Sequence, residues 1–169
     1  MKNIFCLIVV TAFLLVNCNQ SPDNQRMNQI EDRLALKELV DEFSILADKK
    51  DVAAQMNLFT ENATVESFRN GVSNSMLTGK EEIGNAFFNF LSLFETVYHI
   101  NGQQSVEIKD NKAAGISYCL VVLIGEQDGQ KMKTTLGVSY EDEYIKQNGK
   151  WLIANRKSYF NWQEATPID

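Results

Sequence analysis

One histidine and three cysteines are all that 169 residues offer of the side chains most used to hold transition metals. The histidine is His99, and Cys6, Cys18 and Cys119 lie far apart in the chain. This scarcity excludes the usual zinc arrangements, so neither a metal nor a cofactor is expected. A Gly-x-Ser-x-Gly elbow is missing, as are a P-loop and a dinucleotide-binding glycine fingerprint. Basic clusters are missing too, and the net charge is −6. A surface that tracks phosphates is thereby excluded, and nucleic acid is not an expected partner. Beyond the first residues no apolar run is long enough to span a bilayer. No internal repeat or low-complexity run is visible.

What is present begins with an export pattern. Lys2 gives a positive start, and residues 4–16 are almost entirely apolar. This is the form of a secretory signal. It ends in Leu15-Val16-Asn17-Cys18, which resembles a bacterial lipobox, although Asn17 replaces the usual small residue. The resemblance implies a signal peptide over residues 1–17, lipidation of Cys18, and a lipoprotein held in the bacterial cell envelope. A plain signal cut elsewhere and an uncleaved anchor are the alternatives. Residues 18–26 are polar, contain one of the two prolines, and read as a tether. Cleavage would also remove Lys2 from an already acidic chain, so lipid rather than charge must hold it to a membrane. Cys119 would then be the remaining cysteine. It has no disulfide partner and reads as a small buried hydrophobe.

The folded domain is expected over residues 27–165. A long helix is predicted over Met27 to Asp48, with Ile30, Leu34, Leu36, Leu39, Val40, Phe43, Leu46 and Ala47 near one face. Asp48 stands at its end, where a solvated carboxylate is the bland expectation. Asp51 suits the N-cap of a short second helix that runs to Glu61-Asn62. A strand follows at Ala63–Phe68, then a turn-rich loop from Arg69 to Ser75, over the mouth of whatever lies beneath. Thr78-Gly79-Lys80-Glu81 has the form of a capping box that starts a third helix, with Phe87 on its apolar face. From Thr96 the period changes to alternation. Four long strands are predicted, near 96–109, 112–125, 131–146 and 150–162, joined by turns at Asp110-Asn111, Asp128-Gly129 and Asn148-Gly149. Helices followed by a strand meander make an α+β fold with a strongly curved antiparallel sheet. One sheet face is covered by the three N-terminal helices, and the other is available to a second copy, so a homodimer is expected.

Two groups on these strands invite chemistry. His99 is the one side chain whose ordinary pKa suits proton transfer near neutrality, and a satisfied core-edge histidine is its bland alternative. Asp142 shares a strand face with Leu136, Val138, Tyr140 and Tyr144, and needs a partner there. Arg156 on the neighbouring strand is the natural one, as a structural pair.

The order of elements resembles the SnoaL-like branch of the NTF2-like superfamily. The likeness is carried by Ala47-Asp48-Lys49-Lys50-Asp51, Leu58–Ala63, Leu77–Ile83, Tyr98-His99-Ile100-Asn101 with Ala113–Tyr118, and Tyr140–Tyr144 with Gly149–Arg156. It implies a cone: a curved sheet around helices, with an apolar pocket at the wide end and often a dimer. Scytalone dehydratase-like members of the family place an aspartate at the end of the first helix and a histidine early on a following strand. Asp48 and His99 match those positions. The other polar positions of that set fall at Ala47, Ser67 and Leu123, so they are lost. A carboxylate beside an imidazole fixes its tautomer and is expected to raise its pKa. The resemblance further implies that Tyr118 or Tyr140 gives a ligand a hydrogen bond and that Phe87 lines its pocket.

Two functions fit. One is a lipid-anchored module that binds a small hydrophobic ligand without a full catalytic set. The other is a dehydratase or isomerase that uses Asp48 and His99 on a small hydroxy- or keto-compound. They separate on whether the two side chains meet inside a pocket.

Overall fold

The computed structural model describes residues 22–169. The segment expected as a signal peptide and Cys18 lie outside the described residues. The element order is α1 (Pro22–Asp48), α2 (Val52–Met56), β1 (Phe59–Arg69), β2 (Val72–Thr78), α3 (Lys80–Leu91), β3 (Thr96–Lys109), β4 (Lys112–Gln127), β5 (Gln130–Gln147) and β6 (Lys150–Pro167). Residues 22–26, expected in the tether, are helical instead. A proline is tolerated at a first helical position, whose N–H has no helical partner.

The six strands form one curved sheet in the order β2-β1-β6-β5-β4-β3, the cone that the resemblance implied. The expectation of a wholly antiparallel sheet is corrected at one seam: β1 runs parallel to β6. The chain returns to β1 only after the meander is complete, and no local signal marks such a pairing. The segment expected as a loop from Arg69 to Ser75 is also corrected. It is a hairpin that turns at Asn70-Gly71, both at positive φ, into edge strand β2. The three meander turns fall where expected, with Asp110, Asp128 and Asn148 in the left-handed region. Register shifts at Ser67/Phe68, Asn101/Gln104, Gly137/Val138 and Glu143/Tyr144 bend the long strands, as bulges do. Trp162 lies across Gly137 so closely that an added Cβ would sit 2.0 Å from its Nε1. A side chain at residue 137 would displace the indole.

The third helix is not capped by Thr78. Gly79 holds the N-cap at φ 83 with no side-chain bond, while the Thr78 N–H donates to Glu82 Oε2 at 2.7 Å. The second helix does start on Asp51, whose Oδ1 accepts from Ala54 N at 3.0 Å, but it ends at Met56 rather than near Asn62.

Two apolar clusters fill the cone. One gathers Leu36, Val40, Phe43, Phe59, Ile83, Tyr144 and Ile153. The other gathers Ala47, Leu91, Val97, Val121, Leu123, Leu136 and Tyr140. The apolar stripe of α1 is buried only from about Leu36 onward, and Ile30 and Leu34 are exposed. Cys119 is a buried free thiol, as expected, with its pKa pushed up to about 11 by burial.

What fixes α1 against the sheet is a polar ladder to β3. Arg33 Nη1 donates to Val106 O at 2.8 Å, and Gln104 Nε2 to Leu36 O at 3.2 Å. Asn101 donates through Nδ2 to Val40 O at 3.2 Å, and its Oδ1 accepts from Ser44 Oγ at 3.0 Å. The spacing works because helix and strand run antiparallel with matching lengths. From residue 33 to 48 a helix rises about 22 Å, and from 106 to 99 a strand covers about 23 Å. The ladder therefore delivers the last residue of α1 to His99.

Candidate active site

Asp48 is the C-terminal residue of α1, and no basic residue lies in that last turn. A carboxylate there faces the negative end of the helix dipole, an unfavourable placement by about 0.3–1 kcal/mol. It is held by His99. The His99 Nδ1 and Asp48 Oδ1 are 2.7 Å apart, and the His99 N–H donates to Asp48 Oδ2 at 3.3 Å. The helix ends immediately after. Lys50 takes φ 57, its N–H bonds Ala47 O at 2.9 Å, and Asp51 N bonds Leu46 O at 2.9 Å. This double closure pins the residue that carries the carboxylate.

An ionised carboxylate only accepts, so Nδ1 carries the proton and donates it to Asp48. The other ring nitrogen, Nε2, is then the basic one. The His99 side chain is 8% exposed, and its pKa lies below the ordinary 6.5. Burial is the main cause; the bond to Asp48 and its charge act in the opposite direction, and the Arg156 charge adds to the lowering. The expected upward shift is thus reversed, because desolvation outweighs the carboxylate. At neutral pH the imidazole is uncharged and ready to accept a proton.

His99 lines a cavity of about 300 Å³ inside the cone. That is at the small end of ligand pockets. Its walls are largely Phe, Leu and Val, and Phe87 and Tyr140 are among the lining residues. Asn74, Ser75 and Leu77 of the β1–β2 hairpin also line it. Tyr118 does not belong here. Ser117, Cys119, Val121 and Leu123 face the core, and Tyr118, 48% exposed, projects from the opposite face of β4. The parity of the strand contradicts its proposed ligand role. Ala47, Ser67 and Leu123, where the scytalone dehydratase-like set would place further polar groups, all line the cavity.

Gln55 and Arg156 are buried polar residues in the cavity wall. Arg156 is 1% exposed and sits between two rings, its guanidinium carbon 4.2 Å from the Phe43 centroid and 4.4 Å from that of Tyr140. Its Nε and Nη2 each donate to Asp142 at 2.8 Å, and Tyr144 Oη donates to Asp142 Oδ2 at 2.9 Å. The expected Asp142–Arg156 pair is present, but it does not use the whole guanidinium. Nη1 is buried and without a hydrogen-bond partner among the described residues, and Arg156 lines the cavity. Gln55, from α2, is 1% exposed and also lines the cavity. Its Nε2 donates to Phe43 O at 3.1 Å, and its Oε1 has no partner among the described residues. Sequence offered one signal for Gln55: it stands where the period of Val52 and Met56 calls for an apolar residue.

A family model for the SnoaL-like domain matches residues 28–157. The chain belongs to the SnoaL-like family. Solved structures agree with this SnoaL-like domain in fold. A scytalone dehydratase-like protein from Novosphingobium aromaticivorans DSM 12444 aligns with TM-score 0.71 at 18% identity, over 86% of this chain and 93% of its own. A hexachlorocyclohexane dehydrochlorinase (LinA-type3) from Novosphingobium barchaimii LL02 aligns with TM-score 0.67 at 19% identity, over 85% and 94%. The Kfla4162 protein from Kribbella flavida aligns with TM-score 0.72 at 18% identity, over 80% and 95%. Comparison with curated proteins gave no match. At these identities the structural likeness concerns the fold of the SnoaL-like domain, and its chemistry has to be argued from its own residues.

Proposed function

We propose that this SnoaL-like protein is a proton-transferring enzyme of the lyase or isomerase type, acting on a small, mostly apolar hydroxy- or keto-compound. The observation that carries this reading is the 2.7 Å contact between Asp48 and His99, with His99 lining an apolar cavity. A neutral His99 Nε2 takes a proton from a carbon next to a carbonyl. The electron pair of that C–H bond moves toward the carbonyl oxygen, which the free N–H of Arg156 Nη1 stabilises. Asp48 stabilises the imidazolium formed. In a dehydration, the imidazolium returns its proton to the departing hydroxyl, which leaves as water. In an isomerisation it returns the proton to a different carbon. Charge supports a neutral carbonyl over a carboxylate: Asp142 already neutralises Arg156, and Asp48 leaves the site slightly negative.

The binding module remains the competing reading, supported by the apolar Ala47 and Leu123. Screening cyclic ketones and hydroxyketones with wild type and His99→Ala separates the two. The enzyme reading expects turnover by wild type and none above background by His99→Ala, with ligand binding preserved in both. Identical traces from the two proteins would leave a binding module. We further propose that Cys18, beyond the described residues, carries a lipid that holds this domain at a membrane of the cell envelope, and that the domain is a homodimer.

A further inference from the structure

Gln55 has a place in the cavity that the proton chemistry does not use. Its amide orientation is fixed, because a backbone carbonyl can only accept, and so Nε2 must face Phe43 O. Oε1 is therefore left as an acceptor, buried and unpartnered among the described residues, in a side chain that lines the cavity. A methionine would fill this space without an orphaned polar atom. Arg156, whose side chain also lines the cavity, carries a second buried atom without a partner among the described residues, Nη1, and it is a donor. Phe43 links the two: its backbone oxygen holds Gln55, and its ring stacks on Arg156.

We infer that the cavity selects a ligand bearing two polar groups, a carbonyl oxygen for Arg156 Nη1 and a hydroxyl or N–H donor for Gln55 Oε1. This deepens the proposed function and rests on its placing the substrate in this cavity. The substrate class becomes hydroxylated carbonyl compounds, with a donor that the reaction itself does not consume. An apolar ketone of equal shape leaves Oε1 unpaired, and it binds more weakly for that reason. A methyl ether at the same position fares no better, because it offers Oε1 an acceptor.

Calorimetric titration with 1-indanone, its ring-hydroxylated isomers and the matching methoxy compounds tests this. At least one hydroxyindanone is expected to bind wild type about tenfold tighter than indanone and than its own methyl ether. In Gln55→Met that preference falls to about twofold or less, while affinity for indanone itself is retained. Far-ultraviolet circular dichroism establishes that the variant is folded. The wild-type comparison alone still decides should the variant fail to fold. Equal affinity of wild type for hydroxylated and parent compounds overturns the inference and assigns Oε1 to a buried water. So does absence of binding by every hydroxyindanone, or a preference that persists in Gln55→Met. Because the readout is binding, it separates from the catalytic reading. A hydroxyl preference with no His99-dependent turnover sinks the enzyme and keeps the selectivity, and the reverse result sinks only the selectivity.

Discussion

Asp48→Asn is expected to lower turnover about 10²–10⁴-fold while leaving the fold and the cavity intact. The two shapes are nearly identical, and the difference lies in the proton. Asp48 presents two acceptors to two donors, Nδ1–H and the backbone N–H of His99. Asparagine has one acceptor and one donor. It satisfies both neighbours only when its oxygen faces the backbone N–H and its amide donates to Nδ1. Nδ1 must then surrender its proton, and Nε2 becomes the protonated nitrogen. The base is thus switched off by a tautomer change. Loss of the carboxylate also removes the charge that stabilises the imidazolium. The sign of the pH response follows from the same bond. The proposed mechanism needs neutral His99, whose pKa lies below 6.5. Activity is therefore flat at neutral pH and falls in acid, with its midpoint below 6.5. Any residual activity of Asp48→Asn has its acid limb shifted lower still, since Asp48 acts to raise that pKa. Steady-state kinetics from acid to neutral pH measures both effects. A loss smaller than about tenfold would remove Asp48 from the mechanism.

Arg156→Met is expected to destabilise the fold by about 3–5 kcal/mol. The Arg156 and Asp142 side chains are 1% and 0% exposed, so truncating one leaves the other charge uncompensated and out of water. Against a typical total of about 5–15 kcal/mol, that is enough to bring a domain of this size close to unfolding. The loss belongs to the orphaned carboxylate more than to the bond. The double change Arg156→Met with Asp142→Leu should therefore recover most of it, although Tyr144 Oη then loses its acceptor. Urea denaturation of wild type, the single variant and the double variant gives the comparison. A surface pair such as Lys131–Glu95, 43% and 64% exposed, carries no such expectation. An Arg156→Met loss below about 1 kcal/mol would mean that water reaches the pair.

The fold was legible where local chemistry declares itself. Asp128-Gly129 and Asn148-Gly149 set the long hairpins, because few other residues accept the left-handed backbone those turns require. Asn70-Gly71 carried the same signal. It was masked because β2 is an edge strand, exposed along most of its length and without apolar alternation. The parallel seam of β1 and β6 depends on contacts about ninety residues apart, such as Thr64 with Asn155. Local pattern is silent on such pairs.

The site was legible in part for a related reason. Asp48 violates the helix dipole, and a local rule broken without an evident local gain marks a residue serving something distant. His99 stood out by being alone. Their meeting, however, came from a family resemblance, not from spacing. Gln55 left only a faint mark, a polar residue on the apolar period of Val52 and Met56, and the unpartnered nitrogen of Arg156 left none. Sequence can nominate a partner for a buried charge, as it did for Asp142, but which single atom stays unpaired depends on the finished packing. Burial likewise decided the direction of the His99 pKa shift, and burial is a property of the whole cone.

The central claim is that His99 rests as a neutral base, with its proton on Nδ1 and its lone pair on Nε2. Long-range nitrogen–proton correlation spectra of uniformly labelled protein read this directly, and a single histidine gives a single imidazole pattern. At pH 7 the account predicts a protonated Nδ1, an unprotonated Nε2, and a titration midpoint below 6.5. A proton on Nε2, or an imidazolium persisting at pH 7, would contradict it.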